Sequence, residues 1–315
     1  MSVRTCAIFL SAAALFAHEP RQRHFNFEYR ASLPTKTPGG KFVLWVPIPH
    51  DDDYQHIANL RIDSSAPYNI ATDELGNKIL SIDSRTPPSV TVKFDCVRKE
   101  HVQPAPSASA APLSSSERTR WLAPDRLVPL DGNIRKWASE VVTAAHAHTD
   151  LEMARAIYNH VVATVKYDKT GKGWGRGDIY YACDARRGNC TDFHAIFIGY
   201  ARAMGIPARF SIGFPLPTDR GQGSIAGYHC WAEFYATGIG WIPVDASEAA
   251  KNPSLRDYFF GTHDENRVEF TRGRDLTLIP RQSADPLNYF VYPYAEVDGK
   301  PFDDLEHTFS WQDSN

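Results

Sequence analysis

The sequence has no marked excess of charge of either sign. Its 34 Lys and Arg stand against 37 Asp and Glu, a formal net charge of −3, and no block of like charges or long Lys/Arg run occurs. Such a chain offers no electrostatic footprint for nucleic acid or for an anionic membrane surface. Long hydrophobic runs are also missing. No stretch reaches the ~20 apolar residues that a bilayer-crossing helix needs, so stable membrane insertion is not expected. Cysteine is scarce, at 5 in 315 residues, which is too few for the dense bridging that holds small secreted domains together. There is no Cys-x2-Cys or His-Glu-x-x-His spacing, no internal repeat, and nothing that calls for a cofactor. Material for a core is plentiful: 43% of residues are hydrophobic, with 7 Trp, 14 Tyr and 17 Phe. The length suits two domains, and no oligomeric state is implied.

The first residues differ from the rest. Arg4 supplies a positive start, Cys6 to Phe16 is apolar except for Ser11, and Ala17 is a small residue before the polar run His18-Glu19-Pro20-Arg21. Residues 1–17 read as a secretory signal, which implies a secreted or periplasmic protein. Cys6 would leave with the signal. Cys96, Cys183, Cys190 and Cys230 would remain, and a catalytic Cys190 would have to be free. That leaves at most one bridge among Cys96, Cys183 and Cys230.

Residues 18–101 read as a small all-β domain. Phe25, Phe27 and Tyr29 alternate with polar residues. Lys41 to Val46 and Val90 to Phe94 are strand-like, and Gly39-Gly40 and Gly76-Asn77 are turn signals. Residues 102–119 are a Pro/Ala/Ser linker with little to bury. Helices are expected after Trp121. Ile134, Trp137, Ala138, Val141 and Val142 share a face, and Thr149 with Glu152 forms a capping-box pattern before the next helix. Gly171 to Gly177 must be loop, possible as a moving lid. Tyr289 to Val297 reads as a further strand. A main domain is expected over 120–280, with a C-terminal strand segment, 281–315, packing on it.

Gly188-Asn189-Cys190 opens a strong helix. Phe193, Ile196, Phe197, Tyr200, Ala201 and Met204 form its apolar stripe, Gly205 is its C′ glycine and Pro207 ends it. Cys190 then sits in the first turn, where unpaired N–H groups and the helix dipole favour a thiolate and can donate to an oxyanion. Alone, such a Cys is as easily a small buried hydrophobe. Further on, Tyr228 to Tyr235 and Trp241 to Val244 read as strands joined by a turn at Thr237 to Gly240. A hairpin centred near Thr237 or Gly238 brings Asp245 opposite His229 or two residues from it. A carboxylate there would orient the imidazole and favour its charged form, which in turn would stabilise a thiolate.

Three ordered motifs carry a resemblance. Gly188 to Phe193 followed by Ala201 to Arg209, then His229 to Phe234, then Gly240 to Asp245, closely resemble the nucleophile helix, His strand and Asp strand of the transglutaminase-like superfamily. The match runs over roughly 156–250. It implies an α+β papain-like thiol fold, helices packed on an antiparallel sheet, with Cys190, His229 and Asp245 as nucleophile, base and orienting acid. The chain looks most like exported bacterial members that carry a β domain before the catalytic one. Asp245 is followed by Ala246-Ser247-Glu248, unlike the Pro-Thr-type continuation of animal transglutaminases. The implied chemistry is therefore thioester formation on peptide or protein amides. Water as acceptor would make a peptidase or amidase, the preferred reading. An amine acceptor would make a cross-linking transglutaminase. A non-catalytic exported binding module and a zinc site from Cys190, His194, His229 and Asp245 are the other readings. Trp174 in the Gly-rich loop, His194 one turn after Cys190, and Trp231 are secondary oxyanion or substrate candidates. Asp192 is expected to complement the helix dipole or form a salt bridge. Cys230, next to His229 on a strand, is expected on the opposite face as a core thiol.

Overall fold

The structure is a computed structural model and describes residues 19–37, 40–106 and 111–314. The expected export signal lies outside the described residues.

Alternation builds the first strand. In Gln22–Ser32 the residues Arg23, Phe25, Phe27, Tyr29 and Ala31 turn inward while those between face out or lie half-buried, the two-residue period of a strand with one buried face. This strand is the middle of a five-stranded antiparallel sheet in the order Gln222–Ser224, Glu306–Asp313, Gln22–Ser32, Ser89–Lys99, Gln55–Ser64. A second five-stranded sheet runs Lys300–Phe302, Tyr294–Val297, Phe42–Ile48, Lys78–Ser84, Tyr68–Thr72. The C-terminal residues are thus integral to the N-terminal β region. Glu306–Asp313 pairs with the first strand from Ser32↔Glu306 to Phe25↔Asp313. Arg23, buried, meets Asp313 at 2.8 Å. Of the stretch read as a strand over 289–297, only Tyr294–Val297 is regular, because Tyr289 and Tyr292 turn away to pack on Tyr228.

A third, four-stranded sheet runs Gly240–Val244, His229–Ala236, Ala208–Pro215, Arg267–Arg272, all antiparallel. The helices are α1 (Ser115–Leu122), α2 (Gly132–Ala144), α3 (Asp150–Thr164), α4 (Ile179–Ala185), α5 (Cys190–Ala203) and α6 (Ala246–Lys251). Every residue of α5 is buried, because other helices enclose it against the sheet. The fold is α+β, with an all-β region before the helical part. One core joins the two. Phe27 stacks on Phe94 at 5.3 Å, and meets Phe214 at 5.5 Å and Phe270 at 5.6 Å on the third sheet.

One expectation changes. Helices begin before Trp121: Ser114 and Glu117 form a capping box that starts α1 inside the Ser/Ala-rich stretch, a local signal hidden by low complexity. Among the described residues Cys96, Cys183, Cys190 and Cys230 are all free, within the limit of one bridge. Among the described residues no helix is long and apolar enough to cross a membrane.

Candidate active site

The nucleophile helix is built as its sequence dictates. Asn189 caps α5, its side chain accepting from the Thr191 N–H at 3.0 Å, while Asp192 Oδ2 accepts from the Asn189 N–H at 2.9 Å. Cys190 is the first helical residue, where backbone N–H groups have no intrahelical acceptor. At the far end Gly205 takes the left-handed conformation, φ 82°, that lets the chain leave the helix without a Cβ clash.

The hairpin fixes the other two residues. Its register pairs Ala232 with Val244 and Ala236 with Gly240, so it is centred on Gly238. One step further, Asp245 falls opposite Trp231, two residues from His229. The strand stops there because Asp245 caps α6, its Oδ1 accepting from Glu248 N–H and Ser247 Oγ, each at 3.0 Å. Its Oδ2 accepts from His229 Nε2 at 2.7 Å and from Arg267 Nη1 at 3.1 Å. The Cys190 thiol also bears on the His229 ring, adding to the pull of Asp245.

Electrostatics favour a charged pair. Burial alone would neutralise His229, but the charge and hydrogen bond of Asp245, reinforced by Cys190, push its pKa up to about 10. Burial likewise opposes ionisation of Asp245, yet His229 and Arg267 hold it well below the usual carboxylate range. Burial would raise the Cys190 thiol. Hydrogen bonds from Cys230 and His229, with the imidazolium charge, bring it well below an ordinary thiol. These directions favour a thiolate at Cys190 and an imidazolium at His229. The site is shut away from solvent: Cys190 is 1%, His229 5% and Asp245 0% exposed.

The other singled-out residues fall in distinct places. Asp192 forms no salt bridge. It is buried and also accepts from Gly175 N–H at 2.7 Å and Gly177 N–H at 3.1 Å, tying the Gly-rich loop to α5. Trp174 is half-exposed in that loop. Trp231, 1% exposed, has His229 and His263 on either side, at 6.0 and 5.9 Å between ring centres, and the Arg267 guanidinium 4.9 Å from its ring. His194 is 0% exposed. Trp231 and His194 are both as buried as Cys190 itself and pack beside the site. Cys230 is buried, as expected of a core thiol. Its sulfur is 3.7 Å from His194 Nδ1 and it interacts with Cys190. Along the strand, Cys230 and Phe234 meet His194 and Phe197 of α5, while Trp231 meets His263 on the other side. Tyrosines were missed altogether. Tyr228 Oη accepts from Asn189 Nδ2 at 2.8 Å, Tyr289 Oη donates to the Gly175 carbonyl at 3.2 Å, and Tyr292 Oη accepts from the Tyr228 N–H at 3.2 Å. Adjacency to His229 was a signal for Tyr228; nothing local marks Tyr289 or Tyr292.

The chain is similar to several known proteins. Residues 135–246 match the model of the transglutaminase-like superfamily. An uncharacterised protein of Haemophilus influenzae is 27% identical over 325 residues, covering 90% of this chain and 87% of its own. Among solved structures, a proposed cysteine protease from Cytophaga hutchinsonii superposes with a TM-score of 0.62 at 15% identity, covering 94% of this chain and 92% of that one. The periplasmic domain of TgpA from Pseudomonas aeruginosa is more distant, with a TM-score of 0.41 at 16% identity over 75% of this chain and 90% of that one. Cys190, His229 and Asp245 all lie within the stretch, residues 135–246, that is similar to the transglutaminase-like superfamily.

Proposed function

We propose that this protein is an exported thiol enzyme that acts on amide bonds of peptides or proteins, with Cys190 as nucleophile, His229 as acid and base, and Asp245 as the orienting carboxylate. The reading is carried by one observation: an imidazole bonded to a buried carboxylate at 2.7 Å beside a thiol at a helix start. The Cys190 thiolate attacks the amide carbonyl carbon. Negative charge moves to the carbonyl oxygen, near the unpaired N–H groups of α5. The tetrahedral species collapses as the C–N bond breaks and the His229 imidazolium gives its proton to the departing amine, leaving a thioester on Cys190. Neutral His229 then takes a proton from water as the oxygen adds to the thioester carbonyl. The acid leaves and the thiolate–imidazolium pair returns. Water needs no binding site of its own, so hydrolysis is the favoured outcome over transfer to an amine.

The test is incubation of wild type and Cys190→Ala with peptide and cell-wall-peptide libraries, with and without a primary amine, reading products by mass. Cleavage by wild type alone supports the proposal. Amine-adducted products would move the assignment to acyl transfer. No Cys190-dependent product, together with thiol labelling no faster than an ordinary Cys, would mean a binding module. Export is tested by the mass of the mature protein, which should lack residues 1–17.

A further inference from the structure

The residue just before Cys190 and the residue just before His229 are bonded to each other. Asn189 precedes Cys190 as the cap of α5, and Tyr228 precedes His229 at the entrance to its strand. The cap settles which way the Asn189 amide faces. Its oxygen accepts from the Thr191 N–H at 3.0 Å, so its nitrogen is left to donate, and it donates to Tyr228 Oη at 2.8 Å. The Tyr228 hydroxyl keeps a proton of its own, with Thr191 Oγ1 at 3.2 Å and the Gly175 carbonyl at 3.4 Å to receive it. The main chain makes no such tie here. The strand pairs from His229 onward, opposite Gly213, and the Tyr228 N–H goes to Tyr292 Oη at 3.2 Å rather than to a neighbouring strand. Deeper in the fold, Phe197 of α5 and Phe234 of the strand meet at 6.0 Å between ring centres. One residue in from His229, Cys230 and His194 make a long sulfur contact of 3.7 Å. At the end that carries Cys190 and His229, the short directional link is the one from Asn189 to Tyr228.

We infer that the Asn189–Tyr228 hydrogen bond is a strut that sets the spacing of Cys190 and His229. Each end of it lies one residue, about 3.8 Å of chain, from the residue it holds. Asn189 and Tyr228 are positioning residues that act through their neighbours in sequence, and the inference rests on the proposed pairing of Cys190 with His229. A hydrogen bond is short and directional, so it fixes the separation of helix start and strand start more closely than ring packing does. It also gives the half-buried Tyr228 hydroxyl a task that the proposed chemistry leaves unused.

The experiment follows the alkylation rate of Cys190 against pH with iodoacetamide, reading the Cys190 peptide by mass because half-buried Cys183 also labels. Wild type is compared with Tyr228→Phe, Asn189→Ser, the double variant and His229→Ala. Phe keeps the ring beside Tyr289 and Tyr292, at 5.4 and 5.7 Å between ring centres, and deletes only the hydroxyl. Ser caps a helix as well as Asn does but ends one bond short, so it breaks the strut while the Thr191 and Gly175 contacts of Tyr228 stay. The ionisable groups that feel the charge on Cys190, among them Tyr167, Asp192, His194, Cys230, Tyr289 and Tyr292, are the same in every strut variant. An imidazolium held less well against the thiolate moves the acid midpoint up by about one pH unit, a tenfold loss of thiolate below it. The strut predicts that rise in each single variant and no further rise in the double, because both changes break one bond. Melting should fall by only about 2–4 °C, the worth of one hydrogen bond in a large domain. A packing role predicts an unmoved midpoint in Tyr228→Phe. That result, an unmoved midpoint in Asn189→Ser, or a double variant shifted by the sum of the two singles overturns the strut. Should one single variant fail to fold, the other breaks the same bond from the opposite end. If His229→Ala leaves the midpoint unmoved, the pairing of Cys190 with His229 falls and the strut with it. If it shifts and the strut variants do not, only the strut falls.

Discussion

Changing Asp245 to Asn removes one charge and almost no volume, and the structure says what should follow. His229 is buried, and burial favours its neutral form. The charge and hydrogen bond of Asp245 reverse this and lift the imidazole from its ordinary 6.5 to about 10. At 1.36 kcal/mol per pH unit that difference is of order 5 kcal/mol in favour of the imidazolium, with Asp245 its leading source. With Asn at 245, burial prevails and the ring is neutral near pH 7. The Cys190 thiolate loses its countercharge and its pKa rises. The single amide oxygen must also serve the Arg267, Glu248 and Ser247 donors that now share two carboxylate oxygens. Losing the orienting carboxylate of such a triad costs roughly 10⁴ in turnover. Turnover of any cleaved peptide, and the pH profile of Cys190 alkylation, give the readout. In wild type the reactive ion pair persists until His229 deprotonates near pH 10; in Asp245→Asn the pair is gone at neutrality. Stability follows the same groups. A raised folded-state pKa means the His229 contribution is complete below about 6.5 and lost as pH climbs towards 10. The depressed Cys190 works in the other sense, contributing at alkaline pH and losing its share as pH falls through its folded value. A variant that keeps wild-type turnover and an unmoved alkylation midpoint would refute the assignment of Asp245 as the source of the imidazolium.

Three further perturbations test the frame around the site. Gly213 pairs with His229, and a Cβ there would sit 1.8 Å from the Val268 carbonyl oxygen. Gly213→Ala should cost at least about 1–3 kcal/mol and slow Cys190 alkylation, measured by thermal melting and labelling together. Asp192→Asn weakens the acceptors of the Asn189, Gly175 and Gly177 N–H groups. A loss of about 2–3 kcal/mol is expected, along with faster tryptic cutting at Lys172 and Arg176. Asp313→Ala leaves buried Arg23 without its carboxylate; a drop of about 3 kcal/mol in denaturant unfolding is expected, the cost of an uncompensated buried charge.

What the sequence disclosed and what it hid divide along contact distance. The nucleophile helix was legible from Asn189 to Gly205 because caps and stops are written locally. The offset of Asp245 from His229 was legible because a tight turn sets hairpin register by counting. The partner of the Gln22–Ser32 strand was not, because Glu306–Asp313 lies at the other end of the chain and no local pattern names a partner. The dual role of Asp192 was half-legible: capping follows from Asn189-x-x-Asp192, but the grip on Gly175 and Gly177 depends on how the loop folds back.

The pairing of the first and last strands bears on how the molecule is made. Arg23 and Asp313 are 290 positions apart in sequence, so one edge of the Gln22–Ser32 strand stays open until residues 306–313 have been made. Until then Phe25, Phe27 and Tyr29 lack part of their cover, and the sheet that shares a core with the thiol domain is incomplete. Nascent chains halted before residue 306 should therefore be protease-sensitive and prone to clump, and burial of the first strand should wait until residues 306–313 are free to pair.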